Sequence, residues 1–209
     1  MLTERLIDAV RWLPAILIAL TFHEYAHGRM AYYLGDDTAY LQGRLTLNPL
    51  PHIDWVGFLM LLFFHFGWAK PVIVNPLNFK NVGIKRGMML VSLAGPAMNL
   101  LLAFCGMIIL KICGFHPYMD YSSAGIGIIL YTLVYINLIL AVFNLIPVPP
   151  LDGSKILAGL LPDSGAQVIY SLEAYGPIIL LLLIITDVFS KILFPLVTLI
   201  YTVFVNILF

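Results

Sequence analysis

Two imidazoles and a carboxylate, in the run His23-Glu24-Tyr25-Ala26-His27, lie inside an apolar stretch long enough to cross a bilayer. A helix puts residues i and i+4 on one face, so His23 and His27 can offer two nitrogens to one ion while Glu24 projects beside them. Catalytic zinc commonly takes three protein ligands and keeps a fourth position for a water whose pKa falls toward neutrality. The pattern therefore asks for a third ligand elsewhere in the chain. The ordinary alternative is a pair of histidines hydrogen-bonded to neighbouring helices and a glutamate paired with Arg29. Ionisable groups within membrane helices are costly and mark functional sites by default, which favours the metal.

The elements that must position these groups follow from composition. The chain has 209 residues, 61% hydrophobic and only 11% charged, with a mean hydropathy of +0.98. A soluble domain is about a quarter charged, so the expectation is an all-α polytopic membrane protein. We expect about five to six transmembrane helices, over residues 10–34, 87–112, 124–146, 167–185 and 192–208, plus a re-entrant hairpin and short β-strands near the active site. The hairpin is the run Val56 to Phe66, which as a helix would cover only about 17 Å and could not span. The strand candidates are residues 40–47, where apolar and polar side chains alternate, and residues 71–75. A single domain over 1–209 is expected, with a catalytic core at about 10–160 and C-terminal helices at about 167–208. Glu4, Arg5, Asp8 and Arg11 precede the first apolar run with no small-residue cleavage pattern after it, so a retained membrane segment is expected. Zero net charge gives no reason to invoke nucleic acid. Cys105 and Cys113 lie roughly 12 Å apart along one helix, too far for a disulfide, and read as packing residues.

Charge suggests orientation. Lys70, Lys80, Lys85 and Arg86 stand in one loop with no acid among them, which places that loop in the cytoplasm; Arg5 and Arg11 act in the opposite sense. If the short hairpin does not cross, the His27 end of the first span and the turn at Asp152 share that side. The third ligand is then sought among the carboxylates. Glu4 and Asp8 lie at the far end of the first helix, Asp120 lies in the opposite loop, and Asp36 and Asp37 read as solvated. Asp152 ranks first, because Pro147, Pro149 and Pro150 break a membrane helix before it and Gly153 permits a sharp turn. Broken backbone at membrane depth is tolerated where it lines a polar cavity. His52 and His65 remain competitors.

HEYAHG, AGPAMN at Ala94 to Asn99 and NLIPVPPLDG at Asn144 to Gly153, together with GRLTLNP and GWAKPV, resemble the site-2 protease family of intramembrane zinc metalloproteases in its compact prokaryotic form. The likeness covers about residues 20–160; a departure is Trp55, where a proline is expected after Asp54. The resemblance implies an endopeptidase that cuts transmembrane segments of other membrane proteins, with His23, His27 and Asp152 on one zinc ion and Glu24 as general base. It also implies a substrate-positioning or oxyanion role for Asn144. Asn99 matches the polar residue of the third motif. Substrate proteins with a transmembrane helix and the lipid bilayer are the expected partners, in the cell membrane with the active site toward the cytoplasm. A divalent-metal transporter would more often show repeats and polar residues along its whole path, and a non-catalytic metal-binding membrane protein would have no use for Glu24. Asn137, Glu173 and Asp187 read as interhelical hydrogen bonds or interfacial charges.

Overall fold

The computed structural model of the chain describes residues 2–64, 67–119, 121 and 125–209, with side chains for all of these except 2–11 and 64. His65 and Asp120 lie outside the described residues, as do the side chains of Glu4, Arg5, Asp8 and Arg11.

Helix α1 (Leu2–Tyr33) carries the histidine motif. Its buried face is a row at four-residue spacing, Ala15, Ala19, His23, His27 and Ala31. Small residues in that row let other helices approach the backbone closely, which drives packing in a medium as apolar as the side chains. After the short α2 (Thr38–Leu41) and α3 (Trp55–Phe64), helix α4 (Ile84–Ile112) presents a matching row, Gly87, Val91, Gly95, Asn99 and Ala103. Helix α4 packs against α1, α5 (Ile126–Leu145) and α6 (Asp152–Leu160), and so is the centre of the bundle. Helices α7 (Asp163–Leu172), α8 (Gly176–Ile185) and α9 (Val188–Leu208) complete the chain, with α9 closing the apolar core formed by α4 and α5 around Met107, Leu138 and Val197.

Four helical runs are long and apolar enough to cross a membrane: Ile84–Ile112, Ile126–Leu145, Asp163–Ile185 and Val188–Leu208. They overlap four of the five expected spans; the remaining one, 10–34, falls within α1. Four helices of membrane length and hydropathy thus stand among the described residues, against the five to six expected for the chain. Helix α3, ten residues and about 15 Å long, is too short to cross. The Asp54 carboxylate caps its start by accepting the Gly57 N–H (2.9 Å), and an Ile53–Ala69 bridge joins the chain before it to the chain after it.

The expected strands are not there: among the described residues that bridge is isolated and no sheet forms. Residues 38–41 are helical and the alternation that follows has no partner to pair with, leaving Tyr40 and Leu41 exposed. Residues 71–75 run without regular structure, since Pro71 and Pro76 cannot donate to a ladder. Both cysteines are free and exposed, which corrects their reading as packing residues.

Asp36 also departs from expectation. It is fully buried, not solvated. One oxygen accepts the Thr38 N–H and hydroxyl and the Asn78 side-chain amide (3.1, 2.5 and 2.8 Å), and the other accepts the Asn75 N–H (2.7 Å). These bonds tie the end of α1 to residues 75–78, whose neighbours Val74, Phe79 and Val82 pack on Ala31 and Val91. Burial opposes ionisation of Asp36, but bonds from Thr38, Asn78 and Asn75 outweigh it and hold the carboxyl below its ordinary range. A depressed folded-state pKa means that this stabilisation is complete above the unfolded value of about 3.9 and is lost as pH falls through the lower folded value. Protection factors at the Thr38 and Asn75 amides, taken relative to the intrinsic exchange rate at each pH, should therefore fall on acidification below pH 4. Asp36→Asn should weaken their protection already at pH 7, by about 1.5–3 kcal/mol, and flatten the acid response.

Candidate metal centre

The imidazoles of His23 and His27 stand edge to face, 4.5 Å between centroids and 89° between planes, with their Nε2 atoms 2.9 Å apart. Asp152 Oδ2 lies 3.2 Å from each of them. Three donor atoms from residues 23, 27 and 152 thus form a triangle with edges of 2.9, 3.2 and 3.2 Å. A tetrahedral ion with bonds of about 2.0–2.1 Å holds its ligands about 3.3 Å apart.

Hydrogen bonds on the far side of each ring decide what those nitrogens carry. His27 Nδ1 lies 2.7 Å from the Val91 carbonyl, which can only accept, so Nδ1 holds the proton and Nε2 of the neutral ring a lone pair. His23 Nδ1 lies 2.6 Å from Asn99 Oδ1. The Asn99 amide is oriented by donating to the Ala19 carbonyl (3.0 Å) and to Asn137 Oδ1 (2.8 Å), while Asn137 donates to the Leu133 carbonyl (2.8 Å). His23 therefore also directs a lone pair inward. Two imidazole lone pairs and a carboxylate oxygen converge on one point, an arrangement that repels itself unless a cation sits there. The donor set, the spacing and the outer hydrogen bonds all fit zinc.

Backbone makes room for this convergence. A Cβ on Gly95 would stand 2.6 Å from both imidazole rings, so only glycine lets α4 lie against them. The accepting Val91 carbonyl is one residue before that of Ser92, whose helical donor would be the N–H that Pro96 lacks. Gly153 turns out to be helical, not the sharp turn expected. A Cβ there would meet the carbonyls of Leu145 and Ile146 at 2.3 and 2.4 Å, so glycine is needed for α6 to start against the end of α5. Asp152 opens α6, where the positive end of the helix dipole favours a carboxylate.

Glu24 does not pair with Arg29, which is exposed and lies over the Tyr32 ring. Its Oε2 accepts the Val72 N–H at 2.8 Å, so the irregular 71–75 segment passes directly beside it. Asn144 donates to the Leu140 carbonyl one turn earlier on α5 (3.0 Å), which uses one of its two amide hydrogens. His52 stands apart from the triangle: buried, it directs Nε2 at the Thr46 carbonyl (2.9 Å). It lines an apolar cavity of about 530 Å³ bounded by Leu17, Leu20 and Thr21 of α1, Phe58 of α3 and Leu140 of α5. Leu17, Leu20 or Thr21, and Glu24 follow helical spacing, so this cavity opens one turn from the carboxylate along α1.

The sequence reading left Gly95 without a role, Asn99 without a partner and Asn137 among ordinary interhelical bonds. Their signal was the four-residue spacing of small and polar residues on α4, whose meaning depends on which helix it faces.

A bundle of apolar helices with a two-histidine, one-carboxylate centre and an adjacent glutamate has the construction of a membrane-embedded zinc hydrolase. The profile of peptidase family M50 matches residues 79–184. The chain is 41% identical over 184 residues to "Putative zinc metalloprotease YwhC" of Bacillus subtilis, covering 86% of this chain and 82% of that one. It is 27% identical over 186 residues to Rip2 of Mycolicibacterium smegmatis (87% and 69% covered) and 32% identical over 149 residues to MJ0611 of Methanocaldococcus jannaschii (69% and 68%), both with names of the same form. No solved structure matches. The chain belongs to peptidase family M50, the site-2 protease family, and is a zinc metalloprotease.

Two substitutions outside the triangle test its support. Gly95→Ala should displace the rings and abolish bound zinc, measured as metal per purified chain. Asn99→Leu, which leaves His23 unoriented, should weaken zinc affinity about 10–100-fold in a competition titration.

Proposed function

We propose that this protein is an intramembrane endopeptidase that hydrolyses peptide bonds within or next to transmembrane segments of other membrane proteins. The observation that carries the reading is the convergence of His23, His27 and Asp152 on one point, with Glu24 beside them, inside a bundle of membrane-length helices.

In this reading the three side chains hold one zinc ion, which supplies Lewis-acid polarisation of the scissile carbonyl and acidifies a water. Glu24 takes the proton from the attacking water as its oxygen bonds to the carbonyl carbon, and returns it to the amine as the C–N bond breaks. Asn144 places one N–H on the Leu140 carbonyl, and in this reading its other N–H is the donor to the developing oxyanion. The apolar cavity accepts the side chains of an unwound substrate helix. Unwinding is required because helical hydrogen bonds shield the scissile amide. Water enters from the side that carries Lys70, Lys80, Lys85 and Arg86, which the excess of positive charge makes cytoplasmic. On that side lie the end of α1, the connection to α4 and the start of α6; α1 itself is then a further membrane helix.

Transport and structural metal binding make no demand on Glu24. Glu24→Gln should keep zinc at one ion per chain and lower cleavage of a reconstituted transmembrane substrate by about 10²–10⁴-fold. His23→Ala and Asp152→Ala should lose both zinc and cleavage. Retained zinc in the Asp152 variant would remove Asp152 from the ligand set, and undiminished cleavage by Glu24→Gln would reject the mechanism.

A further inference from the structure

Arg44 is nearly buried, 8% exposed, and meets no carboxylate among the described residues. Its guanidinium donates instead to three main-chain carbonyls: Nη1 to Pro51, and Nη2 to Lys70 (2.6 Å) and Pro71 (3.1 Å). A guanidinium buried this way without a carboxylate carries a desolvation cost, and packing alone does not require it.

The Pro71 carbonyl and the Val72 N–H belong to one planar peptide unit, and that unit is not among the cis bonds of the chain. In a trans peptide the C=O and N–H point in opposite directions. Arg44 therefore grips one edge of the unit while the other edge donates to Glu24 Oε2 at 2.8 Å. The plane can turn only by giving up one of these bonds. A cation on the carbonyl also polarises the peptide and strengthens its N–H as a donor, as hydrogen-bond chains do at low dielectric.

Other contacts already hold this part of the chain in place. The Ile53–Ala69 bridge and the Lys70 N–H to His52 carbonyl bond (2.9 Å) join the two sides of the hairpin, and Asp36 fixes Asn75. What Arg44 adds is the orientation of the peptides at 70–72. We propose that Arg44 is a positioning residue for Glu24, acting through the Pro71–Val72 peptide to hold the carboxylate where it can take and return a proton. This rests on the endopeptidase reading for its catalytic consequence, while the Arg44-peptide-Glu24 linkage can be tested without catalysis.

The test compares full-length wild type with Arg44→Ala, Arg44→Lys and Val72→Pro, the last of which removes the N–H and leaves Arg44 intact. Hydrogen exchange at the Val72 amide, bound zinc and the steady-state constants for a transmembrane substrate are measured together. In Arg44→Ala the Val72 amide should lose protection, with zinc still bound at one ion per chain. kcat should fall at least about tenfold, the rate equivalent of one hydrogen bond to a charged group, with KM changed less than about twofold. Val72→Pro should reproduce the kcat loss, and Arg44→Lys, which offers one ammonium where a fork is needed, should fall between. Added guanidinium should restore part of the Arg44→Ala rate. Retained Val72 protection, an unchanged kcat, or zinc lost in step with activity in Arg44→Ala and Arg44→Lys alike would overturn the proposal. If wild type loaded with zinc cleaved no membrane protein, the endopeptidase reading would fall, and Val72 exchange would still decide whether Arg44 holds the peptide against Glu24.

Discussion

The constraint on which the structure depends is the convergence of three lone pairs inside an apolar bundle. Each histidine could present either nitrogen, and a rotated ring would leave the site without a donor. Helix α4 removes that freedom by accepting a hydrogen bond from the Nδ1–H of both rings, through the Val91 carbonyl for His27 and the Asn99 amide oxygen for His23. Fixing the tautomers aims both lone pairs at Asp152, and like-sign electron density at about 3 Å is tolerable only around a cation. The packing of α1 against α4 thus also sets the geometry in which the three donor atoms meet.

That requirement explains the small residues of the interface. Gly95 brings the α4 backbone within reach of the rings, and Ala15, Ala19 and Ala31 carry the contact along α1. Asn137 of α5 then accepts from Asn99, so a chain of amides extends from His23 through three helices and ends on a carbonyl of α5 itself. Each side-chain nitrogen and oxygen of the two buried amides has at least one hydrogen-bond partner, which is the condition for keeping polar groups in a core at all. Helix α5 contributes twice. It orients His23 from one side, and its broken end delivers Asp152 from the other.

Much of this was legible in the sequence, for a physical reason. The histidine pair is a local pattern, fixed by helical periodicity, and Asp152 follows a proline-interrupted helix whose break has to serve some purpose. The short helix α3 could be read from the length of its apolar run. Asn99, Asn137 and Gly95 were less accessible, because their roles exist only across helix interfaces that no local spacing specifies. The strand expectation failed at residues 40–47 because alternation marks a strand only where a partner exists, and Asp36 was misjudged because position near a helix end says nothing of what folds over it. Gly153 was correctly singled out but for the wrong cause, close helix approach replacing a turn.

Irregular backbone beside the metal centre raises the question of how its polar groups are satisfied without a sheet. The chain answers with charged side chains that bind main-chain groups and do not pair with one another. Arg44 takes carbonyls of Pro51, Lys70 and Pro71, Asp36 takes N–H groups of Thr38 and Asn75, and Glu24 takes that of Val72. Pro71 and Pro76 lower the number of donors that need partners in the same stretch. Irregular backbone packed within a protein has to find its hydrogen-bond partners there, and here three acidic or basic side chains supply them. Because one of the three is the Glu24 carboxylate, the same bonds that satisfy an irregular segment also hold it directly against α1, one residue from His23.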